Sequence, residues 1–102
     1  DVLLFCAGWK DKFNLEDTVC AGAIASRLLE SGEFRTICDS VHAAIDLWKL
    51  AEPDPLKYIQ KAAHRSRLRD KGLDDCIEFC LKPDFTEIIP VVKDGNLVPF
   101  KP

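Results

Sequence analysis

The sequence predicts an α/β fold: layered helices packed on a mixed sheet, with a C-terminal β-hairpin. Three observations predict it. The run from Asp1 to Cys6, apolar from Val2 onward, reads as a strand buried on both faces. The middle of the chain has helical periodicity punctuated by caps and glycines. The tail switches to an Ile- and Val-rich strand pattern around an Asp94-Gly95 turn.

The elements follow in order. Ala7-Gly8 ends the first strand, and Trp9–Phe13 is a mostly charged loop. Asn14 is a good helix N-cap, with Glu16 and Asp17 in the first turn, where acids suit the helix dipole. The first helix runs through Leu15, Val19, Ala23, Ile24, Leu28 and Leu29, and Gly32 stops it. Gly22 inside this helix costs about 1 kcal/mol relative to alanine, which points to close approach by a neighbouring backbone and to packing on a sheet. A second helix is capped near Asp39 or Ser40. Its Val41, Ala44, Ile45 and Trp48 fall at i, i+3, i+4 and i+7, and Pro53 breaks it. Asp54-Pro55 starts a third helix that runs to about Lys71, with Gly72 at its end. A short fourth helix begins at Asp74 or Asp75, has Glu78 in capping-box position, and ends before Pro83. Thr86–Lys93 and Asn96–Phe100 form the hairpin, with Pro90 and Pro99 marking an edge or a bulge.

Composition bounds the class. The 102 residues suit a single domain, 1–102, and 47% hydrophobic with 30% charged residues is ordinary for a globular chain. A net charge of −3 gives no general attraction to nucleic acid or to an anionic membrane. No apolar run spans a bilayer and no leader is visible. The five cysteines lack metal-ligand spacing and read as reduced thiols packed as small apolar groups, which fits a cytoplasmic protein. The chain has no methionine, and three strands hardly surround a strand buried on both faces. The sequence is therefore expected to be a processed chain or a fragment of a larger α/β fold.

Two places could carry chemistry. The segment Cys6–Gly22 follows a strand end and enters a helix N-terminus, where anions bind in open α/β sheets. Glu16 and Asp17 would repel a bare phosphate, but a magnesium ion could bridge them to one. They also make sense as a dipole-matched helix start, and both readings stand on the residues alone. The third helix carries Lys57, Lys61 and Arg65 as an i, i+4 stripe with His64 beside it, a face that could hold phosphate or sulfonate oxygens. A solvated surface explains most of these basic residues equally well. Trp48 fits a core stripe, whereas Trp9 could line a pocket or cover the strand end. His42 has no evident partner.

Cys6-Ala7-Gly8, Phe13-Asn14-Leu15-Glu16-Asp17 and Cys20-Ala21-Gly22 together resemble the signature of the 2-phosphosulfolactate phosphatase family. His64–Leu68, Gly72–Cys80 and Phe85–Leu97 are similar to the family's basic helix, its short helix and its closing hairpin. The resemblance covers nearly the whole chain and implies its C-terminal part, since the family's earlier Thr-Asn-Gly-Thr turn has no counterpart. It implies a Mg2+-dependent phosphatase that converts 2-phosphosulfolactate to sulfolactate and phosphate, a step associated with coenzyme M biosynthesis. Glu16 and Asp17 would then be catalytic and bind the metal. Gly8, Asn14, His64 and Arg65 would contact the phosphorylated sulfonate substrate. A missing N-terminal part of the same chain would supply the remaining ligands, so the isolated chain is expected to be inactive, and exposed sheet edges could pair two copies. The sequence departs from the family in lacking a glycine near Asp11 and in having Asn rather than Ser at position 14. The alternatives are a non-catalytic interaction module docking through its basic helix and a phosphate-binding domain of another small-phosphoester enzyme.

Overall fold

Helix α1 (Leu15–Glu30) and helix α2 (Asp39–Ala51) form the main packing contact of the chain in the computed structural model, which describes residues 1–101. Gly22 lies where the two helices meet. A Cβ added there would collide with the Ala44 carbonyl oxygen of α2 and come within 3.0 Å of the Trp48 Cβ. The expected close approach is present, but the partner is a helix and not a sheet. The buried face of α1 is Val19, Gly22 and Ala25, while Ile24 is left 43% exposed. Small residues bury best where backbones converge, and that turned the helix away from the stripe drawn through Ile24 and Leu28. On α2, Ala44, Ile45 and Ala51 are buried, as its periodicity predicts.

The expected third helix is two helices. Asp54 caps α3 (Pro55–Ile59), its side chain accepting a hydrogen bond from the Lys57 N–H at 3.0 Å. The chain then turns, and α4 (Ala63–Asp70) follows. No glycine or proline marks the break. Ile59 and Ala62, on either side of it, both enter the core with Val19 and Ala51, and that burial bends the chain. Leu15, Leu47, Trp48, Tyr58 and Leu81 pack around this cluster. The Lys57, Lys61 and Arg65 stripe is broken with the helix. Lys61 instead lies 3.9 Å above the Tyr58 ring. Helix α5 (Cys76–Cys80) completes the helical part, without the side-chain cap expected of Asp75.

Strands β1 (Pro90–Lys93) and β2 (Asn96–Pro99) pair antiparallel around Asp94-Gly95, with Pro90 opposite Pro99 at the open end. Both turn residues have positive φ, +50° and +76°, as a type I′ turn requires. The α/β class and the closing hairpin are therefore present. The sheet is two-stranded and antiparallel rather than mixed, because the first predicted strand does not form. Residues 1–8 have no regular secondary structure, with Leu3 and Phe5 85% and 87% exposed. An apolar run becomes a strand only beside an edge that supplies hydrogen bonds, and none lies beside it among the described residues. All five cysteines are free and exposed, so they are not the packed apolar groups that were expected. No described helix is long and apolar enough to cross a membrane.

Candidate active site

The loop before α1 closes on itself. Trp9 and Lys12 exchange two backbone hydrogen bonds, at 3.1 and 3.0 Å, around Lys10 and Asp11. Both central residues are left-handed, with φ of +50° and +58°. The position where a glycine was expected thus keeps the conformation that glycine would favour, at a backbone cost of about 1 kcal/mol. Gly8 precedes the turn at φ +68°, and a Cβ there would lie 2.7 Å from the Lys12 carbonyl oxygen. The Gly8 N–H donates to Asp17 Oδ2 at 2.8 Å, tying the loop to the first turn of α1. Asn14 occupies the N-cap in an extended conformation, yet its side chain makes no cap hydrogen bond. Its carbonyl oxygen accepts instead from the Thr18 hydroxyl at 3.0 Å.

A cavity of about 450 Å³ opens between this loop and α4, within the range of small-molecule sites. Gly8, Asn14, Glu16, Asp17, His64 and Arg65, the six residues singled out from sequence, all line it. Trp9 lines it too, while Ile59, Leu68, Ile77 and Leu81 provide apolar wall. The break between α3 and α4 is what brings His64 and Arg65 to a cavity whose other side is the α1 N-terminus.

Two side chains in this wall have unanswered polar atoms. Both carboxylate oxygens of Glu16 are shut off from solvent and have no hydrogen-bond partner among the described residues. A buried carboxylate without partner is costly, so this group is suited to a cation. Arg65 is 11% exposed and donates through Nη2 to Asp74 Oδ2 at 3.3 Å, with Asp74 Oδ1 at the same distance. Its Nε and Nη1 are buried and unpartnered. Two donors of one guanidinium are thus left for an anion. Sequence reasoning had placed Asp74 only at a helix start. Its position just past the Gly72 turn, which folds the chain back on α4, is the signal that could have paired it with Arg65.

The donor set suits magnesium better than zinc. No group of three or more His, Cys, Asp or Glu side chains converges as a metal cage among the described residues. Magnesium needs only one or two carboxylates and fills its other positions with water and phosphate oxygen. Glu16, with both oxygens unpartnered, and the adjacent Asp17, with one oxygen accepting from the Gly8 N–H, are the two carboxylates in the lining that could hold such an ion.

Comparison with known proteins extends these observations. The chain is 39% identical over 90 residues to the Synechocystis protein named probable 2-phosphosulfolactate phosphatase, covering 87% of this chain and 37% of that one. It is 34% identical over 98 residues to a protein of the same name from Thermotoga maritima, covering 96% and 41%. With the Clostridium beijerinckii protein of that name it shares 30% identity over 97 residues, covering 95% and 40%. The chain thus spans about 40% of the length of these relatives. No solved structure matches it. The profile of the family described as 2-phosphosulpholactate phosphatase matches residues 1–95, nearly the full chain, and the chain belongs to that family.

Proposed function

We propose that this chain forms part of a phosphatase that hydrolyses 2-phosphosulfolactate to sulfolactate and inorganic phosphate with the help of magnesium. The observation that carries the reading is a single cavity lined by both Glu16 and Arg65, two residues that carry buried polar atoms without partners. A phosphoester that also bears a carboxylate and a sulfonate needs cationic donors for its anionic groups and a hard cation for its phosphoryl oxygens. Arg65 Nε and Nη1, which point along different edges of the guanidinium, would each donate a hydrogen bond to an anionic oxygen, while Asp74 holds the group through Nη2. His64 would add a hydrogen bond to the same anion. Gly8 leaves room for the substrate to approach the loop, and Asn14 places its side chain at the α1 N-terminus. Glu16 and Asp17 would hold the magnesium, which when bound would neutralise phosphoryl charge and favour ionisation of a bound water. In the net reaction a water oxygen joins phosphorus, the ester P–O bond breaks, and the leaving alkoxide gains a proton. The apolar wall of Ile59, Leu68 and Ile77 limits water around the reacting group and strengthens the electrostatics.

Relatives in the family are longer, and the remaining ligands are assigned to a further N-terminal part of the protein. The test is phosphate release from 2-phosphosulfolactate by the full-length protein, with and without magnesium, for the wild type, Glu16→Gln and Asp17→Asn. Magnesium-dependent turnover is expected, falling about a hundredfold in each variant. Unchanged turnover in Asp17→Asn would remove Asp17 from the mechanism, and turnover unaffected by chelation would remove the metal. Residues 1–102 by themselves are expected to release little or no phosphate.

A further inference from the structure

Beside the cavity, Arg67 contacts both Trp9 and His64. Arg67 lies one turn beyond His64 on α4, with its guanidinium carbon 4.9 Å from the centroid of the Trp9 ring. From that position its Nη2 is 3.3 Å from His64 Nδ1. The Trp9 main chain is held by the two-bond turn to Lys12, and its indole provides an aromatic face for the guanidinium.

The direction of the Arg67–His64 hydrogen bond follows from chemistry. A guanidinium has donors only and keeps its proton in proteins. Nδ1 must then accept, and it can do so only in a neutral ring that carries its proton on Nε2. We propose that Arg67, seated on Trp9, is a positioning residue that holds His64 as the neutral Nε2–H tautomer. The ring then offers the cavity a hydrogen-bond donor without a charge, and it has no free lone pair with which to act as a base. This makes His64 an oxyanion donor rather than a proton acceptor. The tautomer rests only on the Arg67 contact; its value to catalysis rests on the function proposed above.

The test is nitrogen-15 NMR of the histidine side chains in the full-length protein, at a pH where His64 is neutral. His64→Gln assigns the resonances, and exposed His42 serves as the internal reference. In the wild type, Nδ1 of His64 is expected to resonate as an unprotonated nitrogen and Nε2 as a protonated one. In Arg67→Gln both shifts should move toward the averaged values of a tautomer mixture, and in Trp9→Leu part of the way. A proton found on Nδ1 in the wild type overturns the proposal without any variant being needed. Shifts unchanged in Arg67→Gln overturn it as well. In turnover, Arg67→Gln should lose about tenfold through misplacement of the donor, with no further loss in a His64→Ala background. A full additional loss in that background refutes action through His64. Absence of any phosphoester hydrolysis would defeat the proposed function, and the NMR result would still decide the tautomer.

Discussion

Gly22→Ala tests the contact on which the helical part is built. The added methyl group would run into the Ala44 carbonyl oxygen, a main-chain atom that cannot rotate aside, with the Trp48 Cβ 3.0 Å away. Overpacking costs about 1–3 kcal/mol, and a rigid obstacle places this site near the upper end. Replacing a mid-helix glycine by alanine returns about 1 kcal/mol of helix propensity. The net is a loss of about 2 kcal/mol, and for a domain of this size that lowers Tm by roughly 8–16 °C. Thermal and urea unfolding of the purified variant would measure it. Gly32→Ala is the control, since its Cβ would meet nothing within 4 Å and only its φ of +75° opposes it. That substitution should cost about 1 kcal/mol. A Gly22→Ala protein as stable as the wild type, or less destabilised than Gly32→Ala, would refute the close α1–α2 approach.

Other expectations concern the core, the buried carboxylate and two titrating groups. Ile59, 2% exposed among Val19, Ala51 and Ala62, should cost about 2–5 kcal/mol when replaced by alanine, measured by urea unfolding. Glu16→Gln should raise stability by about 1–2 kcal/mol in chelator, because it removes an unpartnered buried charge, and it should abolish any stabilisation by added magnesium; lower stability in chelator would show that the carboxylate is satisfied without a cation. The Cys38 thiol is held below its ordinary value by its hydrogen bond with Ser40, helped by the Ser40 and Val41 N–H groups at the α2 N-terminus. Its thiolate therefore persists to lower pH than that of an ordinary cysteine, and Cys38 should be the first of the five cysteines alkylated as pH rises from acid; earlier labelling of Cys6 or Cys20 would contradict this. Asp84 is held below the ordinary carboxylate range, first by hydrogen bonds from Arg27 and then by its charge. A depressed folded value means that the pair stabilises above the ordinary carboxylate pKa and loses that contribution as pH falls through the lower folded value. Because the pair is exposed, Asp84→Asn should barely alter unfolding at neutral pH.

Much of this architecture was readable because local chemistry decides it. Asn14, Asp54, Gly32, Gly72 and Asp94-Gly95 punctuate the chain where dihedral preference or capping leaves little choice, and the structure turns at each of them. Elsewhere the outcome depends on partners that a linear pattern does not contain. Val2–Cys6 has the composition of a buried strand, but pairing requires an edge alongside it. Residues 60–62 carry no breaker, and the helix parts there because Ile59 and Ala62 gain more by entering the core than by continuing a shared axis. The exposure of the cysteines follows the same logic. Cys6 sits on the unpaired segment and Cys20 faces the cavity, so neither finds the apolar surroundings that its neighbours in sequence suggest. Of the cavity, the residue types were legible and their convergence was not. Arg65 looked like one member of a basic stripe until Asp74 and the α3–α4 break set it apart from Lys57 and Lys61. Nothing in the spacing connects Arg67 to Trp9, fifty-eight residues earlier.

The two tryptophans give the molecule a built-in pair of optical probes. Trp48 is embedded beside Val19 and Ala51, so its emission reports on whether the helices are assembled. Trp9 stands at the cavity with the Arg67 guanidinium over its ring, a contact that shifts and quenches indole fluorescence and changes when an anion bound at His64 disturbs the Arg67–His64 pair. With Trp48 replaced by phenylalanine, a titration with inorganic phosphate or a sulfonate becomes a direct optical measure of occupancy at the cavity. With Trp9 replaced instead, the remaining signal follows unfolding and stays silent toward the ligand.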